Sequence, residues 1–503
     1  MVVANPAQVY RSHYTKSEPI TAYMVKKLAA ASGMQVLEPC AGDGVFADAL
    51  NKQVSDLSLD LHELNPQALV ILREKYAFNS AVKVIAGDTL TSEDLVLYSN
   101  AGGIYDRVIG NPPYGGWQDF ERRKQLKKLY PGFYVKETYA LFLYRCVLLL
   151  RDTGVLVFIV PDTFLSLHRH TALREYLLTH TKIREIALFP SSFFPGVNFG
   201  YSNLSILTLE KANNPQECLA NRFNLVSGFR KADDLINLSG DSLRSQTFVQ
   251  SEVYANSSHA LFVSSDTIID CINTCVSTVG EVADCVTGFY SGNDKKYLRS
   301  SSPQTRNSAK YAFLNEDLLC ADFSTRSDLL AGINSPDCFI PIVKGGNTKY
   351  FKPDAWYIDW SSEAVTNYVL NKKARFQNAS YYFKHGIAVP MVSATQITAS
   401  LIEHRLFDQS IVGVFPKNPK WLYYMLAFFN SPTCNTLIRT INPSANNSAN
   451  YLKKIPFIVP PGDLLYEVDI MVKSIIQALK AGKSYNQEHE MKLNDIIKEV
   501  YGF

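Results

Sequence analysis

The chain has 503 residues, 47% of them hydrophobic, and carries 50 basic against 47 acidic side chains for a net charge of +3. A single core rarely grows to this size, so two or three domains are expected, and the apolar fraction excludes a chain disordered throughout. A charge this close to neutral names no partner by itself, because a charged ligand needs only one complementary cleft.

Residues 1–215 read as strands alternating with helices, the pattern of a doubly wound α/β sheet. Residues 34–46 give a strand, a glycine loop and a helix start. Gly42 and Gly44, two apart, allow a tight turn and close approach of backbone to a ligand. The third glycine of the dinucleotide fingerprint is absent, and no Lys-Ser/Thr pair follows as in a phosphate loop. Glu38 at the strand end suits a cationic ligand better than a pyrophosphate. Residues 57–63 alternate as a strand ending on Glu63, about 20 residues past the loop, where a carboxylate can accept both hydroxyls of a ribose. Residues 82–85 form a third strand closed by Gly87 and Asp88. Asp88 also reads as the N-cap of a helix over 90–97.

The fourth strand, 105–110, runs into Asn111-Pro112-Pro113-Tyr114. Proline has no N–H and a fixed φ, so the strand stops there in a rigid loop at the carboxyl edge of the sheet, where open α/β folds keep ligands. The loop offers a planar amide, a carbonyl and an aromatic face, which complement an sp2 exocyclic amine with two N–H donors on a flat ring. Each element alone is an ordinary turn or strand end. Three acids at successive strand ends, with this loop at the fourth, form a pattern hard to obtain by chance. Further strands end at Val160 and Leu188, a last one covers 202–210, and helices cover 66–76, 138–150 and 171–179. Asn213-Asn214-Pro215 breaks the alternation. Residues 216–265, rich in Ser and Asn, read as a linker with some strand. Residues 266–503 mix helix and strand, with a polar loop at 288–293. They end in two amphipathic helices from Gly462, the first with Leu465, Val468, Val472, Ile475, Ile476 and Leu479 on its apolar face.

Arg122, Arg123, Lys124, Lys127, Lys128 and Lys136 follow the Asn-Pro-Pro-Tyr loop, opposed by Asp119, Glu121 and Glu137 and interleaved with Trp117, Phe120, Tyr130, Phe133 and Tyr134. A solvated helix face and a phosphate-contacting segment both fit the run, and its place beside the loop favours the second. The nine cysteines are scattered, and the closest pair, Cys271 and Cys275, lacks a second pair to complete a zinc site. A reducing cytoplasm is expected, with no structural metal. The N-terminus lacks a basic region leading into an apolar run. Residues 141–160 are interrupted by Arg145, Arg151 and Asp152, so no membrane span is expected.

These motifs resemble the γ-class adenine-N6 DNA methyltransferases of type II restriction–modification systems, typified by the TaqI modification enzyme. The resemblance is specific over residues 10–210 and fainter beyond, where 339–347, 357–360, Asn430-Ser431-Pro432 and the closing helix 493–503 fall in the family's order. It implies a Rossmann-like methyltransferase domain over 1–215 and a mixed α+β target-recognition domain over 266–503. S-adenosyl-L-methionine is the implied cofactor, held by Thr15, Glu38, Cys40, Gly42, Gly44, Glu63, Asp88, Asn111, Pro113 and Phe142. Thr15 lies in the segment His13–Pro19, where Lys16 replaces the family's proline. Asn111, Pro112 and Tyr114 are the implied catalytic residues. Tyr114 and Phe194 of the Phe194-Pro195 pair would stack on a flipped adenine, with Phe189 and Phe193 as neighbours for the second role. Arg122, Arg123, Lys124, Lys127 and Lys128 would bind DNA phosphates. The expected partner is double-stranded DNA, with no metal and no membrane. The expected setting is a monomer at the nucleoid of a bacterial or archaeal cytoplasm, with a cognate restriction endonuclease acting on the same site without direct contact. A protein glutamine-N5 methyltransferase shares the loop but carries its extra domain ahead of the glycine loop. An RNA methyltransferase and a non-catalytic DNA-binding subunit on the same fold remain alternatives.

Overall fold

A computed structural model describes residues 15, 17–115, 120–194, 203–237, 242–264, 266–327, 329–346, 348–393, 396–442 and 445–503. His13, Tyr14, Lys16, Trp117, Asp119, Pro195 and Asn347 lie outside the described residues. The chain divides into two compact units, the first ending at Leu261 and the second beginning at Phe262. Among the described residues no helix is long and apolar enough to cross a membrane.

The first unit is built on a nine-stranded sheet of order β3-β2-β1-β4-β5-β7-β6-β8-β9. Its strands are β1 Gln35–Glu38, β2 Ser58–Glu63, β3 Val82–Ala86, β4 Tyr105–Gly110, β5 Leu150–Pro161, β6 Thr181–Pro190, β7 Asn203–Lys211, β8 Arg222–Ser227 and β9 Arg244–Val249. The first five run parallel, so their carboxyl ends share one edge. Strand β5 is apolar and buried along most of its length, as a central parallel strand must be. The strand order reverses between β1 and β4, which lie side by side and lead away to opposite halves of the sheet. A crevice opens at such a reversal because the loops after the two strands depart in opposite directions. The glycine loop follows β1 and the Asn-Pro-Pro-Tyr loop follows β4, so the topology alone brings both to the crevice.

Two expectations are corrected here. The helix expected over 90–97 is Glu93–Asn100, capped by Ser92, whose hydroxyl accepts from the Leu95 amide. Asp88 instead accepts from the Leu90 amide at 3.0 Å and closes the turn before that helix. The stretch 216–265 is not a linker as far as Leu261. Strand β8 adds parallel to β6, β9 adds antiparallel to β8, and the helices Pro215–Ala220 and Gln250–Ala255 pack beside them. Two of its Asn side chains bond backbone: Asn221 Nδ2 donates to the Ile183 carbonyl at 2.7 Å and Asn256 Nδ2 to the Ala260 carbonyl at 3.1 Å. The alternation of buried Phe223 and Leu225 with Arg222 and Asn224 was the strand signal that composition obscured.

Gln250 fastens this extension. Fully buried, it accepts from the Ile183 amide and from Asn221 Nδ2, both at 2.8 Å, and donates to the Leu178 and Thr181 carbonyls at 2.8 and 2.9 Å. Arg174, also buried, donates to the carbonyls of Phe164 and Leu167 and to those of Ser258 and His259.

The second unit contains a four-stranded sheet and a five-stranded sheet, with the helices Leu422–Asn430, Pro432–Ile441, Gly462–Lys480 and Gln487–Val500. Trp360 is fully buried, donates its indole N–H to the Leu329 carbonyl at 2.6 Å, and is ringed by Phe289, Tyr368, Phe376 and Tyr382. On the helix from Gly462, Val468, Val472, Ile475 and Ile476 are buried as the periodicity predicts, joined by Met471, while Leu465 and Leu479 are half-buried.

Gln250→Ala takes this partner from the Ile183 amide and from the Leu178 and Thr181 carbonyls, and removes one of the two hydrogen bonds of Asn221 Nδ2. A loss of about 2–4 kcal/mol is expected, measured by urea unfolding of the first unit's transition. A loss below about 0.5 kcal/mol would show residues 216–261 to be dispensable to the sheet.

Candidate functional site

The loop after β1 turns on its glycines. Gly42 and Gly44 have φ of 57° and 80°, the left-handed region that side chains avoid, and Gly44 caps the helix Val45–Gln53. A Cβ on Gly44 would also come within 2.9 Å of Leu72 and the Tyr76 hydroxyl. The loop is held from β2. Glu63, buried at the end of that strand, accepts from the Gly42 amide at 2.7 Å through Oε2. Through Oε1 it accepts from the Leu64 and Asn65 amides at 2.8 and 2.7 Å. The Ala41 amide donates to the His62 carbonyl at 2.9 Å, and the Thr89 hydroxyl, beyond β3, donates to the Pro39 carbonyl at 2.6 Å.

The loop after β4 is anchored as firmly. Thr138, at the start of the helix Thr138–Leu149, donates its hydroxyl to the Pro113 carbonyl at 2.6 Å. Asn111 Nδ2 donates to Thr15 Oγ1 at 3.2 Å, which orients the amide. The Tyr114 ring is buried and meets Tyr139 edge-on, with centroids 6.5 Å apart. The Tyr139 hydroxyl in turn lies 3.0 Å from both Thr163 Oγ1 and His170 Nε2.

Thr15, Glu38, Cys40, Gly42 and Asn111 line one small cavity of about 30 Å³, together with Ala41, Asp43, Val45 and Phe46. A larger pocket of about 370 Å³ adjoins it through Thr15 and Val45, bordered by Glu18, Thr21, Asp48, Lys52 and Gln53. Burial pushes the Glu38 carboxyl well above its ordinary range. The Ala47 amide works the other way, and the charges of Asp43, Glu63 and Asp48 add to the rise. Its buried Oε2 has no hydrogen-bond partner among the described residues. An unpaired buried carboxyl oxygen in an acid-rich crevice is complementary to a ligand ammonium, which would supply both a donor and a compensating charge. Burial, then the charges of Glu63 and Glu38, raises the Cys40 thiol well above its usual range, so it stays protonated. Among the described residues no cluster of three or more His, Cys, Asp or Glu side chains could hold a metal ion.

The profile of the Eco57I restriction-modification methylase family matches residues 45–194, a span that takes in the Asn-Pro-Pro-Tyr loop and begins just after Gly44. Type II methyltransferase M.HindII of Haemophilus influenzae is 28% identical over 94% of this chain and 95% of its own length. M.HincII of Haemophilus influenzae is 29% identical over 49% of this chain, which spans 46% of that protein. Among solved structures, the DrdV–DNA complex has a TM-score of 0.57 at 12% identity, covering 94% of this chain and 58% of that one, a likeness of fold.

The remaining candidates are placed as follows. Phe142 is buried in the helix Thr138–Leu149. Phe194 is buried just after the turn Ser191–Phe193, where Phe189 and Phe193 stack with centroids 5.7 Å apart. The basic run forms the helix Phe120–Leu129, in which Leu126 is buried while Arg123, Lys124, Lys127 and Lys128 are exposed. Arg122 is turned inward, with Nη1 2.5 Å from Asp88 Oδ2. Thr89 and Thr138 frame the site and carry no sequence signal, since a hydroxyl bonded to a carbonyl 50 or 25 residues away leaves no local pattern.

Glu38 also makes a stability prediction. A carboxyl whose folded pKa is raised contributes stability that is complete below its ordinary value of 4.5 and is lost as pH rises through the raised one. Urea midpoints should therefore fall for the wild type relative to Glu38→Gln as pH climbs above about 4.5, and the two should converge below it. Parallel curves across that range would mean that Glu38 titrates normally.

Proposed function

We propose that this chain is a site-specific DNA methyltransferase that transfers a methyl group from S-adenosyl-L-methionine to the N6 amino group of a flipped-out adenine in double-stranded DNA. The observation that carries this reading is the meeting of two loops at one switch point. An acid-lined glycine loop with an unpaired buried carboxyl oxygen stands beside an anchored Asn-Pro-Pro-Tyr loop. Similarity to M.HindII along nearly the whole chain supports DNA methylation as the activity.

Glu38 would pair with the ammonium of the cofactor's methionine part, while the Gly42 turn lets backbone approach it. Glu63 would take the ribose hydroxyls with the lone pairs that its three amides leave, and Asp88 would take the adenine amino group. The cofactor supplies a methyl group already activated by its positive sulfur. Adenine's amino nitrogen is a poor nucleophile because its lone pair is delocalised into the ring. With Nδ2 held by Thr15, Asn111 presents Oδ1 as acceptor, and together with the Pro112 carbonyl it would bind the two amino hydrogens. That favours a tetrahedral nitrogen whose lone pair can attack in line, so the catalysis is positional and electrostatic. Extrusion of the base from the duplex costs a few kcal/mol. Stacking on Tyr114 and Phe194 would recover roughly 1–3 kcal/mol for each ring. The exposed basic side chains of the helix Phe120–Leu129 would neutralise phosphates, and the second unit would read base edges in the major groove.

Asn111→Ala should abolish methylation, read as N6-methyladenine in nucleoside digests of treated duplex DNA, while cofactor affinity stays within about 3-fold in calorimetry. Near wild-type turnover would refute the role of Asn111, and N4-methylcytosine as the product would overturn the choice of base. Neutralising Arg123 and Lys124 should weaken binding to all duplexes alike and flatten the salt dependence by about 0.9 log unit for each phosphate left without its cation. The methylated sequence should not change; a changed sequence would move base reading into this helix.

A further inference from the structure

Under the methyltransferase reading, Asp88 receives the cofactor's adenine and Arg122 a DNA phosphate, yet the structure holds these two side chains against each other. Arg122 Nη1 is 2.5 Å from Asp88 Oδ2, with the Arg122 side chain 29% exposed and that of Asp88 10% exposed. Asp88 Oδ1 accepts from the Leu90 amide at 3.0 Å. Oδ2 is fully buried, and its approach to the guanidinium is a charge contact without the alignment of a hydrogen bond. Both oxygens are thus engaged, and a ligand's amino group reaches Oδ2 only when the guanidinium moves aside.

The surroundings favour movement of Arg122 over movement of Asp88. The turn that carries Asp88 is clamped from two helices. Tyr130, just past the helix Phe120–Leu129, donates its hydroxyl to the Leu90 carbonyl at 2.7 Å, and Arg145 Nη2 donates to the Ser92 carbonyl at 3.1 Å. Arg122 sits on the first turn of Phe120–Leu129, on a long side chain whose neighbours Arg123 and Lys124 already face solvent.

We propose that Arg122 is shared between the two substrates: it covers Asp88 until the cofactor's adenine takes that carboxylate, and the released guanidinium then takes a backbone phosphate of the DNA. This rests on the function proposed above. Linkage follows from the shared residue, because a duplex that draws Arg122 away uncovers Asp88, and each ligand raises the other's affinity by the same factor. For a partly exposed ion pair that factor is about 2- to 5-fold.

Calorimetry of the full chain with S-adenosylhomocysteine, which has no methyl group to transfer, measures the linkage directly. The wild type should bind it about 2- to 5-fold more tightly with a saturating short duplex than without. Arg122→Ala and the near-isosteric Arg122→Gln should bind it more tightly than the wild type in the absence of DNA and gain nothing from the duplex. Weaker binding by both variants without DNA, or an undiminished gain from the duplex, overturns the proposal. A second arm uses no cofactor. Asp88→Asn, which no longer holds the guanidinium back, should bind duplex DNA more tightly, and that gain should vanish once Arg122→Ala is added. A gain that survives in the double variant overturns the proposal as well. A wild type that neither binds S-adenosylhomocysteine nor methylates DNA sinks the methyltransferase reading itself. One that does both without linkage sinks only the sharing of Arg122.

Discussion

The carboxylate of Glu63 is the interaction on which the candidate site depends. It is buried at the end of β2, where an ionised carboxylate is tolerable only when donors replace its water, and the backbone amides of Gly42, Leu64 and Asn65 do so. The same three bonds satisfy amides that a turning backbone would otherwise leave without partners. Because Gly42 belongs to the loop after β1, one side chain on β2 sets the shape of the loop on the neighbouring strand. Thr89 extends the chain of dependence to β3 by holding the Pro39 carbonyl. The carboxyl edge of the sheet is therefore a set of mutually braced loops.

That bracing concentrates negative charge. Asp43, Asp48 and Glu63 lie close enough to Glu38 to hold its proton on, in addition to the larger effect of burial. Such a crevice is poorly suited to phosphate and well suited to a ligand that brings positive charge. It also keeps the Cys40 thiol protonated and so a poor nucleophile, although the residue stands at the edge of the cavity. The loop after β4 faces this acid wall with neutral polar groups, the Asn111 amide and proline carbonyls, which can orient an amine without competing for its charge.

The exposed and inward faces of the helix Phe120–Leu129 divide one basic run between two environments. Arg123, Lys124, Lys127 and Lys128 face solvent and make that face of the helix positively charged. Arg122 turns in to a carboxylate that is nearly buried, which gives the helix a stake in the crevice as well as on the surface.

What was legible in the sequence was local. The strand ends at Glu38 and Glu63, the left-handed glycines and the stop imposed by two prolines depend on residues adjacent along the chain. Backbone sterics and hydrogen-bond chemistry fix their geometry before the sheet assembles. The apolar stripe of the helix Gly462–Lys480 was readable for the same reason. Partnership at a distance was not readable. Asp88 could equally have capped a helix, and only the structure shows Ser92 in that role and Asp88 between the Leu90 amide and Arg122. Residues 216–261 have the composition of a linker, and they join the sheet because β8 pairs with β6 and because Gln250 finds four partners, those on the 178–183 segment lying 67 to 72 residues back. Composition and periodicity report what a segment can bury or turn toward; which donor meets which acceptor is decided only when the sheet brings distant strands together.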